Sequence, residues 1–245
     1  MKTAVALFVG ALVYVHPAGA AAQDLAGATS SPVWTATWLA LLGLLPFVLV
    51  VTTSFTKIAV VLSVLRSALG TQNVPPNVVL AALAVMLTGY VMAPVFSEMA
   101  AATEGVMESA GGSELSAAQW IGHAGELAEP LRRFLDANAG DAERALFLRL
   151  RNIEVEPGDP TPLIVAVPAF AITELSEAFQ IGFLLFLPFL VLDLLIGSLL
   201  LSLGMHMLSP TSVSMPFKLL LFILVNGWIV LSESLVLGYT YGGGP

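Results

Sequence analysis

Residues 174–218, ELSEAFQIGFLLFLPFLVLDLLIGSLLLSLGMHMLSPTSVSMPFK, decide how this chain is read. From 181 to 208 the run is almost wholly apolar, and about 20 such residues cross a bilayer as a helix. Yet Asp193 places a carboxylate in the middle of it. The run breaks at Gly204-Met-His-Met-Leu-Ser-Pro210, and a lone cation, Lys218, sits in the next apolar segment. A charge at such depth is expensive and needs a partner or water. The stretch is therefore not a passive anchor; something polar, such as a pore, has to lie beside it.

Composition agrees. The 245 residues are 57% hydrophobic and only 11% charged, which places the chain in the membrane class. Of the 17 acids behind the net charge of −8, 12 lie between Glu98 and Asp159. There is no basic face, which argues against nucleic-acid binding. There is no cysteine, so disulfides and thiolate chemistry are excluded.

Outward from the central stretch the chain divides by composition. Residues 1–22 read as an export signal: Lys2, a short apolar core, then small residues offering cleavage after Ala20 or Ala22. Residues 23–37 are a small, polar linker. Residues 38–96 read as a helical hairpin. Its first segment has a polar notch at Thr52-Thr-Ser-Phe-Thr-Lys57, where Lys57 has to snorkel or face protein. Its turn is Gly70-Thr-Gln-Asn-Val-Pro-Pro76, which cannot continue a helix. Residues 97–162 are charged and alanine-rich, a small helical insertion outside the membrane. Residues 163–239 form a second hairpin, with a kink expected at Pro188 and a fourth segment over 215–237; 240–245 is a tail. The fold class is all-α: four long apolar helices in two hairpins, plus the insertion.

A cleaved signal puts the new amino terminus outside the cytoplasm, and four spans return the carboxy terminus to that side. The insertion then faces the periplasm. The turns at 66–77 and 209–215 face the cytoplasm, with Lys57, Arg66 and Lys218 around them as the positive-inside bias prefers.

The chain has no H-E-x-x-H, no phosphate-binding loop and no G-x-S-x-G. His16, His123 and His206 make no metal spacing, and Asp193 has no second buried aspartate at its depth. The expectation is a protein that is not an enzyme and takes no cofactor.

Several motifs together carry a resemblance. They are Leu45-Pro46-Phe47, Thr53-Ser-Phe-Thr-Lys57, the run from Leu65 to Asn77, Glu174-Leu175, Ala178-Phe-Gln-Ile-Gly-Phe183, Leu187-Pro-Phe189, Asp193, Gly204-Met205, Ser209-Pro210, Met215-Pro-Phe-Lys-Leu219 and Gly227-Trp228. In this order they resemble the FliP/SctR family, the core subunit of the type III secretion export gate in flagella and injectisomes. The resemblance covers roughly 38–239 and is loose over 97–162. It implies a ring of five copies in the bacterial inner membrane, joined by SctS/FliQ-like and SctT/FliR-like subunits into a helical cone that conducts unfolded proteins. It also implies that the apolar hairpins pack largely above the bilayer plane. The family's pore-sealing methionine loop falls on Met205, His206 and Met207, with histidine where methionine is common. Its inter-subunit charge contacts fall on Glu174, Asp193 and Lys218. Asn226-Gly-Trp stands where the family has Asp-Gly-Trp. Tyr90-Val-Met-Ala-Pro94 and the Met207-Leu-Ser-Pro210 turn look like the injectisome branch; the export signal is more familiar from the flagellar one.

Two rivals stand beside this reading. A small-solute or ion transporter would use Asp193 and Lys218 as a coupling pair. A scaffold without a pore would leave the methionine loop unexplained. For the charged pair, a hairpin turning near Ser209 puts Asp193 16 residues before the turn and Lys218 nine after it. The two then differ in height by roughly 10 Å, a gap that an earlier break at Gly204 would narrow. Lys218 is accordingly expected to meet Asp193 of a neighbouring copy.

Overall fold

A single 40-residue helix, Leu163–Ser202, is the element against which most others pack. A computed structural model describes residues 43–71, 74–109, 111, 117–156 and 159–241. The expected signal (1–22), the linker (23–37) and 242–245 of the tail lie outside these. Every described element is a helix. The described residues of the unit that ends at Val51 belong to α1 (Gly43–Thr52). The unit from Thr52 onward holds α2 (Phe55–Ala68), α3 (Asn77–Ser109), α4 (Ala117–Asn138), α5 (Asp141–Arg151), α6 (Leu163–Ser202), α7 (Pro210–Leu224) and α8 (Gly227–Leu237).

α6 packs against α2, α4, α5 and α7. The apolar stripe of α2 (Ile58, Val61, Leu62, Leu65, Leu69) follows helical spacing and closes on Leu80, Ala84 and Leu87 of α3. Ala178 and Phe189 of α6, Phe222 of α7, and Leu231 and Leu235 of α8 complete this first core. A second core joins Val91, Met92 and Val95 of α3 to Phe134 and Leu135 of α4 and Ala166, Ala169 and Phe170 of α6, with Tyr239. α3 contributes to both because it does not stop at Phe96: the helix runs on to Ser109 and carries the first part of the insertion.

Two helices, α3 and α6, are each long and apolar enough to cross a membrane. Two broken pairs, α1 with α2 and α7 with α8, pass the same test when each is taken together. Little of the most apolar window of α6 is buried within the chain. At 1.5 Å per residue α6 is about 60 Å long, about twice a hydrocarbon core of ~30 Å.

The helix boundaries depart from the sequence reading at three further places. The short apolar piece before the central stretch is continuous with it, so Pro168 and Pro188 both lie inside α6. Around Pro168 the buried Val165, Ala166, Ala169 and Phe170 hold the helix together across the missing hydrogen bond. The second turn falls earlier than 209–215: α6 ends at Ser202, and Pro210 opens α7, where its missing N–H costs nothing. Finally, the segment 215–237 is not one helix. It breaks at Val225 and Asn226, and α8 leaves α7 at 61°. Asn226 takes a left-handed conformation (φ 52°), which asparagine tolerates. Gly227 follows because a Cβ there would lie 2.2 Å from the Phe222 ring. Phe222 in turn packs edge-on against Trp228, centroids 5.2 Å apart. Gly227→Ala is expected to cost about 1–3 kcal/mol through this overlap. A lowered thermal midpoint of the detergent-extracted protein would show it, and an unchanged midpoint would mean the bend relaxes freely.

Candidate functional site

Three constellations gather the polar residues that the apolar helices carry. The first centres on Lys57. The helix break at Thr53 and Ser54 opens α2, and its first turn points Lys57 inward, where it is buried. Its Nζ lies 2.6 Å from Glu174 Oε1 and 2.6 Å from Glu177 Oε2, both on α6. Glu174 is fully buried; Glu177 is half-exposed at the rim. The Tyr239 hydroxyl donates to Glu174 Oε2. The Lys57 ammonium also sits 4.2 Å from the centroid of the Tyr239 ring, a cation–π contact. Burial first, and then the Glu174 carboxylate, push the Tyr239 phenol above its ordinary value, so it stays protonated and donates. The arrangement turns a cation that a bilayer would reject into a bolt between α2, α6 and the segment after α8. Lys57 thus faces protein, one of the two options its position allows.

The second constellation is Asp193 with Lys218. Lys218 Nζ lies 2.6 Å from Asp193 Oδ2 within the same chain. It also donates to the carbonyl of Ala68, 3.1 Å away, at the C-terminal end of α2. Ser214 donates to the other carboxylate oxygen. The height difference of roughly 10 Å that favours a contact with a neighbouring copy is absent within the chain. The reason is the position of the break. Measured from Ser202 and Pro210 rather than from Ser209, Asp193 is nine residues before the end of α6 and Lys218 eight after the start of α7. The two stand level on adjacent helices. The ammonium also meets the negative end of the α2 dipole and one of its free carbonyls. Lys218 is buried, whereas Asp193 keeps about a quarter of its side chain exposed. Asp193→Ala is therefore expected to cost about 2 kcal/mol, the loss of a charged hydrogen bond with water in partial compensation. Asp193→Asn should keep part of it. Equal thermal midpoints for wild type and Asp193→Ala would contradict the pairing.

The third is the loop between α6 and α7. Gly204 (φ 75°) ends α6, and the Met205 N–H reaches back to the Leu200 carbonyl at 2.9 Å, a Schellman-type stop. The chain then turns through Met205, His206, Met207 and Leu208 to Ser209. All of these are exposed, and Met207 is 98% exposed, at the tip. Among the described residues none encloses these side chains.

The structure does not unite the residues singled out from sequence. Glu174 belongs to the Lys57 cluster, Asp193 and Lys218 form their own pair, and the methionine loop stands apart from both. Sequence reading missed Lys57, Glu177 and Tyr239 as partners of Glu174, and Ser214 as a partner of Asp193. A charge count held the signal for the first: two lysines and few acids lie in the apolar helices, and each buried cation needs its own anion. Among the described residues no three His, Cys, Asp or Glu side chains gather as metal ligands.

This is the pattern of an α-helical membrane-type protein whose two buried lysines are paired inside it and whose longest apolar helix ends in an exposed methionine loop. The FliP family profile matches residues 38–235. The flagellar biosynthetic protein FliP of Caulobacter vibrioides is 42% identical over 241 residues, covering 94% of this chain and 88% of the relative. The hypersensitivity response secretion protein HrcR of Ralstonia nicotianae is 42% identical over 203 residues, 81% of this chain and 93% of its own. The Yop proteins translocation protein R of Yersinia pestis is 41% identical over 207 residues, 82% and 93% respectively. The chain belongs to the FliP family. Flagellar and virulence relatives match it at nearly the same identity, so identity does not divide the two branches.

Proposed function

We propose that this protein is a pore-forming core subunit of a type III secretion export gate in the bacterial inner membrane. Copies of the chain form a ring, with SctS/FliQ-like and SctT/FliR-like subunits alongside, and unfolded proteins pass through its centre. The loop with Met205, His206 and Met207 seals the pore at rest. The insertion and both mature termini lie on the periplasmic side.

The observation that carries the reading is the loop itself. An unbranched apolar side chain, Met207, stands 98% exposed at the tip of a short loop between apolar helices. One such side chain in water would be unremarkable, but one loop repeated around a ring becomes an apolar constriction. A constriction of that kind excludes water and ions without a rigid lid. Methionine is flexible and polarizable, so the same ring can repack around many different polypeptide surfaces.

The test is planar-bilayer conductance of the purified complex. Deleting residues 205–207, or replacing both methionines by glycine, is expected to leave the complex assembled but leaky to small ions. A tight pore after the deletion would remove the sealing role. A transporter using Asp193 and Lys218 is less well supported, because both groups already satisfy each other inside one chain, with Ser214 and the Ala68 carbonyl.

A further inference from the structure

The insertion carries its own charge arithmetic. Of its arginines, Arg132 pairs with Glu129, Arg133 with Glu98, and Arg144 with Asp136 and Asp141. The bond from Arg132 holds the Glu129 carboxyl below its ordinary value. Arg149 and Arg151 on α5 are different. Both are exposed, and neither has a carboxylate partner among the described residues. Arg149 lies on one helical stripe with Leu146 and Leu150, which are 38% and 65% exposed. The end of α3 presents the reverse composition at the same spacing. Glu104 and Glu108 are exposed and without a basic partner among the described residues, and Met107 between them is 56% exposed. The two stripes are carried by helices with different neighbours: α3 packs on α2, α4 and α8, while α5 packs on α6.

We propose that these stripes are the two halves of one contact between copies of this chain. Leu146, Arg149 and Leu150 of one copy seat on Glu104, Met107 and Glu108 of the next. Arg149 then forks between the two glutamates, and Met107 fills the space between the leucines. Made head-to-tail, the contact passes from copy to copy, and a head-to-tail contact that closes makes a ring. The insertion thus adds its own inter-subunit contact, distant in sequence from the pore loop. The inference rests on the ring reading above.

The chain has no cysteine, so a clean cross-linking test is available. Met107→Cys with Leu150→Cys would be oxidised in native membranes alongside each single variant, with native gels run in parallel. The double variant is expected to give a ladder of cross-linked multimers, and each single variant only monomer. Glu104→Arg with Glu108→Arg should abolish the ladder, and adding Arg149→Glu should restore it. A double variant that stays monomeric in an intact ring overturns the contact and leaves the ring. Absence of any ring on the native gel overturns both. A dimer from Leu150→Cys alone would mean a symmetric contact, and quenching of a probe on Leu150→Cys by spin-labelled lipid would mean that the stripe faces the membrane; either result overturns the proposal.

Discussion

Lys57→Ala is expected to destabilise the folded protein by about 3–5 kcal/mol. The substitution leaves Glu174, which is 1% exposed at its side chain, without its counter-ion and far from water. The Tyr239 hydroxyl is then its remaining hydrogen-bond donor, which does not offset the desolvation of a full charge. The same argument makes a second, less intuitive claim. Replacing the whole charged set with Lys57→Met, Glu174→Gln and Glu177→Gln should recover most of the loss, because a buried ion pair is close to break-even against apolar or neutral residues of similar size. Thermal midpoints of the detergent-extracted chain, followed by fluorescence, would measure both. The cluster account fails if Lys57→Ala melts like wild type, or if the triple variant is worse than the single one.

Tyr239→Ala is expected to cost a further large amount, about 3–5 kcal/mol, as for other buried aromatics. Tyr239 lies just past α8, yet it is nearly fully buried. Its ring stacks on Phe134 of α4 with centroids 5.9 Å apart, and its hydroxyl donates to Glu174 of α6. The next residues extend the strap. The Asn138 side chain donates to the Thr240 carbonyl and accepts from the Thr240 N–H, at 2.7 and 2.9 Å. The Tyr241 hydroxyl donates to the Val91 carbonyl at 2.8 Å. Residues 239–241 therefore tie the insertion to the membrane-type helices. Hydrogen exchange should rise across α4 and α5 in Tyr239→Ala, while α7 changes little. Tyr239→Phe keeps the stacking and loses the charged hydrogen bond, so its cost should be about 1.5–3 kcal/mol. If truncation after Gly238 left exchange in α4 unaltered, the strap would have no mechanical role.

Much of this architecture was readable from composition. Runs of apolar residues of helical length, with prolines and glycines between them, demand internally satisfied backbone, and in an apolar medium that means helices. The charged stretch between them had to lie elsewhere. The ordered motifs from Leu45 to Trp228 marked the family, and the profile match over 38–235 agrees. The methionine loop was legible because Gly204 and Pro210 bracket it.

What the linear order left undecided was where helices stop and which charges meet. α3 continues past Phe96 because Val106 still finds a buried place, although the sequence around it has turned polar. The break at Asn226 and Gly227 looks like part of an apolar run; it is the Phe222 ring, pressing where a Cβ would be, that makes glycine necessary. A turn counted from Ser209 sets Asp193 and Lys218 at different heights, and the sequence does not say whether the break comes there or already at Gly204. Shifting the break to 203–209 brings them level. Lys57 and Glu174 are more than a hundred residues apart, and no local pattern joins them. Sequence specifies which residues cannot tolerate water or hydrocarbon alone. Only the packing of α2 against α6 specifies which partner each charge receives, because that choice depends on distances of a few ångströms between helices remote in the chain.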